Sequence, residues 1–374
     1  MRPNREGGTE LTRVYLIRHA EAEGNIYRRA HGHVNGQIIG RGFRQIEQLR
    51  DRFLNEKIDA VYSSDLTRAK TTAAAICGPH GLPLNTTEKL REVMMGAWED
   101  IAWGNMEYRE PLLGRYFTTD PARWRVEGSE TLEQVQNRMF NSISEIAKRH
   151  DGETIAVFSH GFSIRALMCA IMGIPSHESM KVPYCDNTAV ALLLYDDGKL
   201  TVEYQGDNSH LDSETSTFAK QTWWRGDKEL TRENIRIEKF DGQRDAGLAD
   251  CADTPASAKS KIENGKPEDG SVVYTAIYAD EPIGLIRLDT EKDKDRNIGW
   301  IRHICMKAEF CRKGFGVQLL GQAVSDFRGI GIETIRVEAP ADSMIDGFCK
   351  KYGFAVAADN GDGRRIIEKN IRNW

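Results

Sequence analysis

"VYLIRHAEAEGN", residues 14–25, decides how the rest of the chain is read. Four apolar or aromatic residues, 14–17, run straight into Arg18-His19. Two adjacent side chains that are costly to desolvate, placed at the end of a buried strand, point to work done there. A second apolar strand, "AVFSHG" at 156–161, ends the same way, in His160-Gly161. Ligands of open α/β sheets sit beyond the carboxyl ends of the strands, so two strands that end in histidine bring two imidazoles to one rim. A third segment fits that rim: "AVYSS" at 60–64, then Asp65, then Arg68 in the first turn of a helix. A helix start favours anions, and an arginine there adds a bidentate fork. Imidazole is a nucleophile toward phosphorus whose neutral form is populated near neutral pH. Phosphoryl transfer needs mainly positioning and charge stabilisation. "LREVMMGAWED" at 90–100 supplies Glu92, with Glu99 as the alternative, to protonate the leaving oxygen.

The whole chain narrows the classes. At 374 residues it is long enough for two domains, and 40% apolar with 29% charged residues is an ordinary globular balance. A net charge of −5 gives no global basic field, which argues against a nucleic-acid partner. The first thirteen residues lack an apolar segment and do not read as a signal peptide. The longest apolar stretch, around "IRALMCAIMGIP" at 164–175, is too short to span a bilayer. Seven dispersed cysteines without a CxxC pair suit a reducing compartment. The expectation is a soluble cytoplasmic protein with no membrane segment.

Strand-like runs alternate with helix-period runs as far as the hairpin "TAVALLLYDDGKLTVEYQG" at 188–206, which turns at Asp196-Asp197-Gly198. This alternation predicts an α/β domain, a three-layer α/β/α arrangement around a mainly parallel sheet, over residues 11–212. Residues 213–232 are polar and read as a linker or junction, with Trp223-Trp224 packing at the domain boundary. Residues 233–374 read as a mixed α+β domain. It contains a hairpin turning at Asp280-Glu281-Pro282, a strand ending at Met306, a helix entered through glycines, and a later helix "SMIDGFCKKYGF".

With these motifs in place, the first domain resembles the histidine phosphatase superfamily, the phosphoglycerate-mutase-like group. Arg18-His19-Ala20 with Asn25 resembles its RHG motif. "SSDLTRAKTTA" resembles its second phosphate-binding segment, "LREVMMGAWED" its LxExxxGxWEG segment, and "FSHGFSIRAL" its second histidine segment. The resemblance implies that His19 is phosphorylated, that Arg18, Arg68 and His160 bind the phosphoryl oxygens with Asn25 assisting, and that Glu92 donates the proton. Gly161 lets the chain approach the site. Ala20 replaces the usual glycine, and Ile39 stands where threonine is typical. "AHGHVNG" at 30–36 carries His31 and His33 at a spacing that can ligate a metal. No further ligand cluster supports a metal, so none is expected, and the segment reads as a rim loop. Residues 103–127, with Trp103, Tyr108, Tyr116, Phe117 and Trp124, are expected to cover the site. That cover favours a phosphatase for a small phosphorylated metabolite over a mutase.

The second domain resembles the GNAT N-acetyltransferases. "EFCRKGFG" at 309–316 resembles their pyrophosphate loop and "FCKKYGF" at 348–354 their late helix. This implies acetyl-CoA held by Arg312, Lys313, Gly314, Phe315, Gly316 and Val317, with Met306 beside the pantetheine arm and an amine as acceptor. Cys311 stands where arginine or glutamine is usual. Cys349 stands where the acid tyrosine often is and is the candidate acid, and Asp342 takes a common asparagine position. The sequence leaves open an inactive ligand-binding role for this domain, and leaves open a homodimer.

Overall fold

The computed structural model describes residues 11–221, 233–248 and 271–372. Trp223-Trp224 and the rest of the expected junction beyond residue 221 lie outside the described residues. The chain forms two compact units. One consists of residues 11–22, His31–Glu99 and 110–221; the other of Glu23–Ala30, Asp100–Arg109, 233–248 and 271–372.

The first unit is built on a six-stranded sheet of β1 (Thr12–Arg18), β2 (Ala60–Ser64), β3 (Leu84–Thr87), β4 (Thr154–Ser159), β5 (Val190–Asp196) and β6 (Lys199–Asp207). Its order is β3-β2-β4-β1-β5-β6. The first four strands are parallel, while β5 runs antiparallel to β1 and β6 antiparallel to β5. Successive side chains point to opposite faces, and both faces are covered, so β1 and β4 are apolar almost throughout. Tyr15, Ile17, Ala156 and Phe158 join Leu49 and Phe53 of α2 (Gly40–Phe53) and Ala69, Ala73 and Ile76 of α3 (Thr67–His80). Val14, Leu16, Ile155 and Val157 are equally buried on the other face, the side of α6 (Leu132–Arg149) and α7 (Gly161–Met172). Helix α6 starts with a capping box: Thr131 accepts from the Gln134 N–H while the Gln134 side chain accepts from the Thr131 N–H. Helix α3 runs past Gly78, the glycine that closes the helix-period run "LTRAKTTAAAICG" at 66–78. It continues through Pro79, which falls in the final turn, and stops at Gly81, whose φ of 63° provides a left-handed cap. The short strand β3 is not legible in the sequence, since three of its four residues are polar.

The second unit holds a seven-stranded sheet: β7 (Arg236–Lys239), β8 (Val272–Tyr278), β9 (Glu281–Asp293), β10 (Ile298–Met306), β11 (Thr334–Pro340), β12 (Ala355–Asp359) and β13 (Arg364–Asn370). The order is β12-β13-β11-β10-β9-β8-β7, with only β10 and β11 parallel. The β8–β9 turn sits at Ala279-Asp280, both with positive φ, one residue earlier than expected, because the pair makes a two-residue turn. Helix α9 (Gly316–Gly329) connects β10 to β11, and α10 (Met344–Lys351) follows β11.

From sequence, 11–212 is one continuous domain. In the structure two of its segments build the second unit instead. Helix α1 (Glu23–Tyr27) lays Tyr27 against α9 where Gly321 leaves room: a Cβ there would stand 2.5 Å from the tyrosine Cβ. Arg29 binds Asp100, Gln322 and Ser325. On α4 (Trp103–Arg109), the Asn105 amide donates to the Ile237 carbonyl at 2.8 Å and accepts from its N–H at 2.7 Å, behaving like one residue of an added strand. The physical cause is complementarity that composition does not reveal: one glycine-sized gap on a helix and one amide matched to a sheet edge. No helix among the described residues is long and apolar enough to cross a membrane.

Candidate active site

Parallel pairing of β1 with β4 sets Arg18 opposite Ser159, and the chain carries on so that the His19 N–H donates to the Ser159 carbonyl at 3.0 Å. The His19 and His160 rings are 5.1 Å apart, centroid to centroid, and both are buried. The rim inferred from the two strand ends is therefore present.

The protonation of each ring follows from its partner. His19 Nδ1 lies 2.7 Å from the Ala20 carbonyl, which can only accept, so Nδ1 carries the hydrogen and the Nε2 lone pair is the available one. His160 Nδ1 lies 3.2 Å from Arg68 Nε, which can only donate, so His160 carries its hydrogen on Nε2. Among the described residues that Nε2–H has no partner, and neither does the buried Nε–H of Arg18. Burial, with the charges of Arg68 and Arg18, holds His19 well below its ordinary range; burial, then Arg68 and His19, does the same to His160. The unit thus presents one neutral nucleophilic nitrogen and two unsatisfied donors.

Arg68 is almost entirely buried. Besides its bond to His160, its guanidinium donates to the carbonyls of His31, Gly32 and Val34. Burial lowers its pKa to about 10, against the opposing pull of Glu92 and Glu99. Arg18 donates to the Cys185 carbonyl at 2.6 Å. Gly161 lies against it: a Cβ at this position would stand 3.3 Å from Arg18 Nε.

Glu92 caps helix α7. Its oxygens accept from the N–H groups of Phe162 (3.0 Å), Ser163 (2.9 Å) and Val93 (3.0 Å) and from the Ser163 hydroxyl (3.1 Å). A carboxylate over a helix start is favourably placed. Glu99 is occupied elsewhere, accepting from the N–H groups of His33, Val34 and Met95, and so holds the 31–34 loop. His33 donates from Nε2 to the Glu92 carbonyl. Among the described residues no cluster of three or more His, Cys, Asp or Glu could hold a metal.

The expected cover splits. Trp103 and Tyr108 belong to α4 in the other unit. Phe117 stacks on Phe162 at 5.0 Å and meets Trp124, which contacts Trp98. Asn25 lies on α1, in the second unit, half-buried. The groups that the first unit gathers are Arg18, His19, Arg68, Glu92, His160 and Gly161. Residues 185–188, which touch Arg18 and His19, were missed. Their signal is faint: a polar Asp-Asn-Thr run just ahead of an apolar strand.

In the second unit Met306 ends β10, and residues 311–315 turn into α9 with positive φ at Arg312 (61°) and Gly314 (82°). Arg312, Lys313 and Gly314 are exposed, while Phe315 and Val317 are buried in the core. A Cβ on Gly316 would stand 3.4 Å from the Phe348 ring. Cys349 is 1% exposed within the apolar core, and burial, aided by Asp346, pushes its thiol up to about 12. This sealed setting, with the proton held more tightly than usual, is unfavourable to the expected role of Cys349 as an acid.

Comparison with known proteins gives two family matches. The histidine phosphatase superfamily (branch 1) matches residues 14–208, and the acetyltransferase (GNAT) family matches 238–354. "Phosphoserine phosphatase 1" of Hydrogenobacter thermophilus is 28% identical over 183 residues, covering 49% of this chain and 86% of that protein. "Probable phosphoglycerate mutase GpmB" of Salmonella choleraesuis is 26% identical over 208 residues, covering 54% and 96%. The solved structure of Bacillus stearothermophilus YhfR superposes with a TM-score of 0.52 at 29% identity, covering 54% of this chain and all of that one.

Proposed function

The chain belongs to the histidine phosphatase superfamily (branch 1), and from that premise we propose a bifunctional enzyme: a phosphomonoesterase acting through phosphohistidine on His19, joined to an acetyl-CoA-dependent N-acetyltransferase. One observation carries the first activity: the complementary tautomers of the two imidazoles, His19 with a free Nε2 lone pair and His160 with a free Nε2–H. His19 Nε2 forms a bond to phosphorus as the ester P–O bond breaks, and Glu92, which enters this step as the protonated carboxyl group, delivers its proton to the departing oxygen. Arg18 Nε–H and His160 Nε2–H donate to the phosphoryl oxygens, with Arg68 adding charge. Water then attacks phosphorus and the P–N bond breaks. Inorganic phosphate leaves, and Glu92 receives the water proton. The name of the phosphoserine phosphatase relative supports a small phosphorylated metabolite as substrate, in a cytoplasmic setting.

The test is turnover of a phosphomonoester panel, including phosphoserine and 3-phosphoglycerate, with rapid-quench trapping of the phosphoenzyme. We expect inorganic phosphate rather than an isomerised ester. His19→Ala should lower kcat by at least ~10³-fold and abolish the trapped species, the scale of losing a covalent nucleophile. Unchanged turnover in His19→Ala overturns the mechanism.

Residues 312–317 fit the diphosphate of acetyl-CoA: the backbone is open at Gly314, two exposed cations flank it, and a helix start follows. Bound there, acetyl-CoA supplies an activated acetyl thioester, with Met306 alongside the chain that carries it. Burial of Cys349 favours a second reading, in which this unit binds the nucleotide without transferring acetyl to an amine. Calorimetry with acetyl-CoA, followed by thiol release with an amine panel, separates the two: binding without release supports the second.

A further inference from the structure

We infer that Asn187 is a positioning residue for the His19 nucleophile, an inference that rests on the phosphatase reading. The Asn187 side chain is fully buried, and its Nδ2 donates to the His19 carbonyl at 3.0 Å. Because a carbonyl only accepts, the orientation of that amide is fixed. The Thr188 N–H approaches the same carbonyl at 3.4 Å. On the other side of the dipeptide, the His19 N–H is tied to Ser159 and the Arg18 N–H to the Ala189 carbonyl. The Cys185 carbonyl takes the Arg18 guanidinium. Residues 185–189 therefore form a cradle that grips Arg18 and His19 by four polar contacts, counting the two on the His19 carbonyl.

Two features argue that the cradle is held for the geometry of the site rather than for packing. First, Thr188 adopts φ of 60°, a left-handed conformation that a β-branched residue resists. Its hydroxyl is held by His210, whose Nδ1 accepts from Arg52, so that Nε2 donates to Thr188 Oγ1. Burial, with Arg52, lowers His210 to about 4, which keeps that arrangement neutral. Second, the buried carboxylate of Asp186 accepts from the Asn187 N–H, the Thr217 N–H, the Ser216 hydroxyl and the Asn208 amide. A strained turn thus persists because its surroundings over-determine it. The group it fixes is the peptide whose imidazole must present Nε2 to phosphorus.

The experiment compares full-length wild type with Asn187→Asp, Asn187→Ala and Ser216→Ala. Single-turnover phosphohistidine formation, inhibition by inorganic phosphate, Tm, and ¹⁵N NMR of the His19 ring are measured on each. Asn187→Asp keeps the shape but turns an acceptor toward the His19 carbonyl. We expect it to slow phosphohistidine formation by about 100-fold, the cost of ångström-scale misplacement, with Asn187→Ala about 10-fold slower and Ser216→Ala less affected. Phosphate inhibition should change less than two-fold throughout, and the His19 ring should lose its single Nδ1–H tautomer in Asn187→Asp. Rates within about two-fold of wild type overturn the inference. So does a parallel loss of rate, phosphate affinity and Tm, which marks a merely structural residue. If wild type shows no His19-dependent turnover, the phosphatase reading fails, and the NMR arm alone decides Asn187: an unchanged His19 tautomer in Asn187→Asp overturns it.

Discussion

The two sites differ in what they are made of. The first is built from side chains, each fixed by a partner: His19 by the Ala20 carbonyl, His160 by Arg68, Arg68 by three loop carbonyls, and Glu92 by the start of α7. The second is built from backbone, an exposed turn between β10 and α9 whose side chains at 312 and 313 point to solvent. The one side chain expected to do chemistry there, Cys349, belongs to the core. A side-chain site is demanding about residue identity, whereas a backbone loop asks only for the right φ values and an open approach.

Substitutions should break the two sites on different scales. Arg68→Lys keeps the charge but loses the fork that sets the His160 tautomer and pins the 31–34 loop. A kcat about 10²-fold lower is expected, the scale of removing one transition-state donor, read by steady-state kinetics with acetyl-CoA binding unchanged. Gly314→Val forces a β-branched residue into φ of 82°. Acetyl-CoA affinity should fall about 10-fold by calorimetry, within the range of a locally strained backbone, while phosphatase turnover stays intact.

Gly321→Ala sharpens the comparison in a third way, since its Cβ would meet Tyr27. Overpacking of this kind costs about 1–3 kcal/mol, and thermal unfolding should show it in the transition of the unit that holds α9. Cys349→Ala should cost about 1–2 kcal/mol of stability through the small cavity left and leave any acetyl transfer unimpaired. Loss of transfer in that variant would restore the thiol to the chemistry.

The pH dependence also separates the sites. The folded His19 pKa lies below its ordinary value, so the nucleophile stays neutral as pH falls through 6.5, and the acid limb of kcat/KM should lie below that value. The stability linkage has the matching sign. A histidine whose folded pKa is lowered takes up its proton more readily when unfolded. The stability that it contributes is complete above about pH 6.5 and declines as pH falls through that value. An acid limb at or above 6.5 would mean that the ring is not desolvated as described.

Much of the first site was legible because its chemistry lies at strand ends, where an apolar run that stops in His19 or His160 is conspicuous. Residues 185–188 were not, because Asn187 acts through one amide on a main-chain carbonyl, a contact with no periodicity or charge to betray it. The edge strand β12, exposed along its length, and the short helices α1 and α4 carry too few patterned residues to be read.

By itself the sequence determined the α/β character of the first half, the mixed sheet of the second, and which histidines and arginines are candidates for the site, since strand periodicity and residue chemistry are local properties. Only the tertiary structure decided which imidazole nitrogen carries each proton, that Cys349 is buried in the core, and that residues 23–30 and 100–109 complete the second unit. Those outcomes depend on which groups distant in the chain are brought within hydrogen-bond reach or out of water, and neither composition nor spacing encodes that directly.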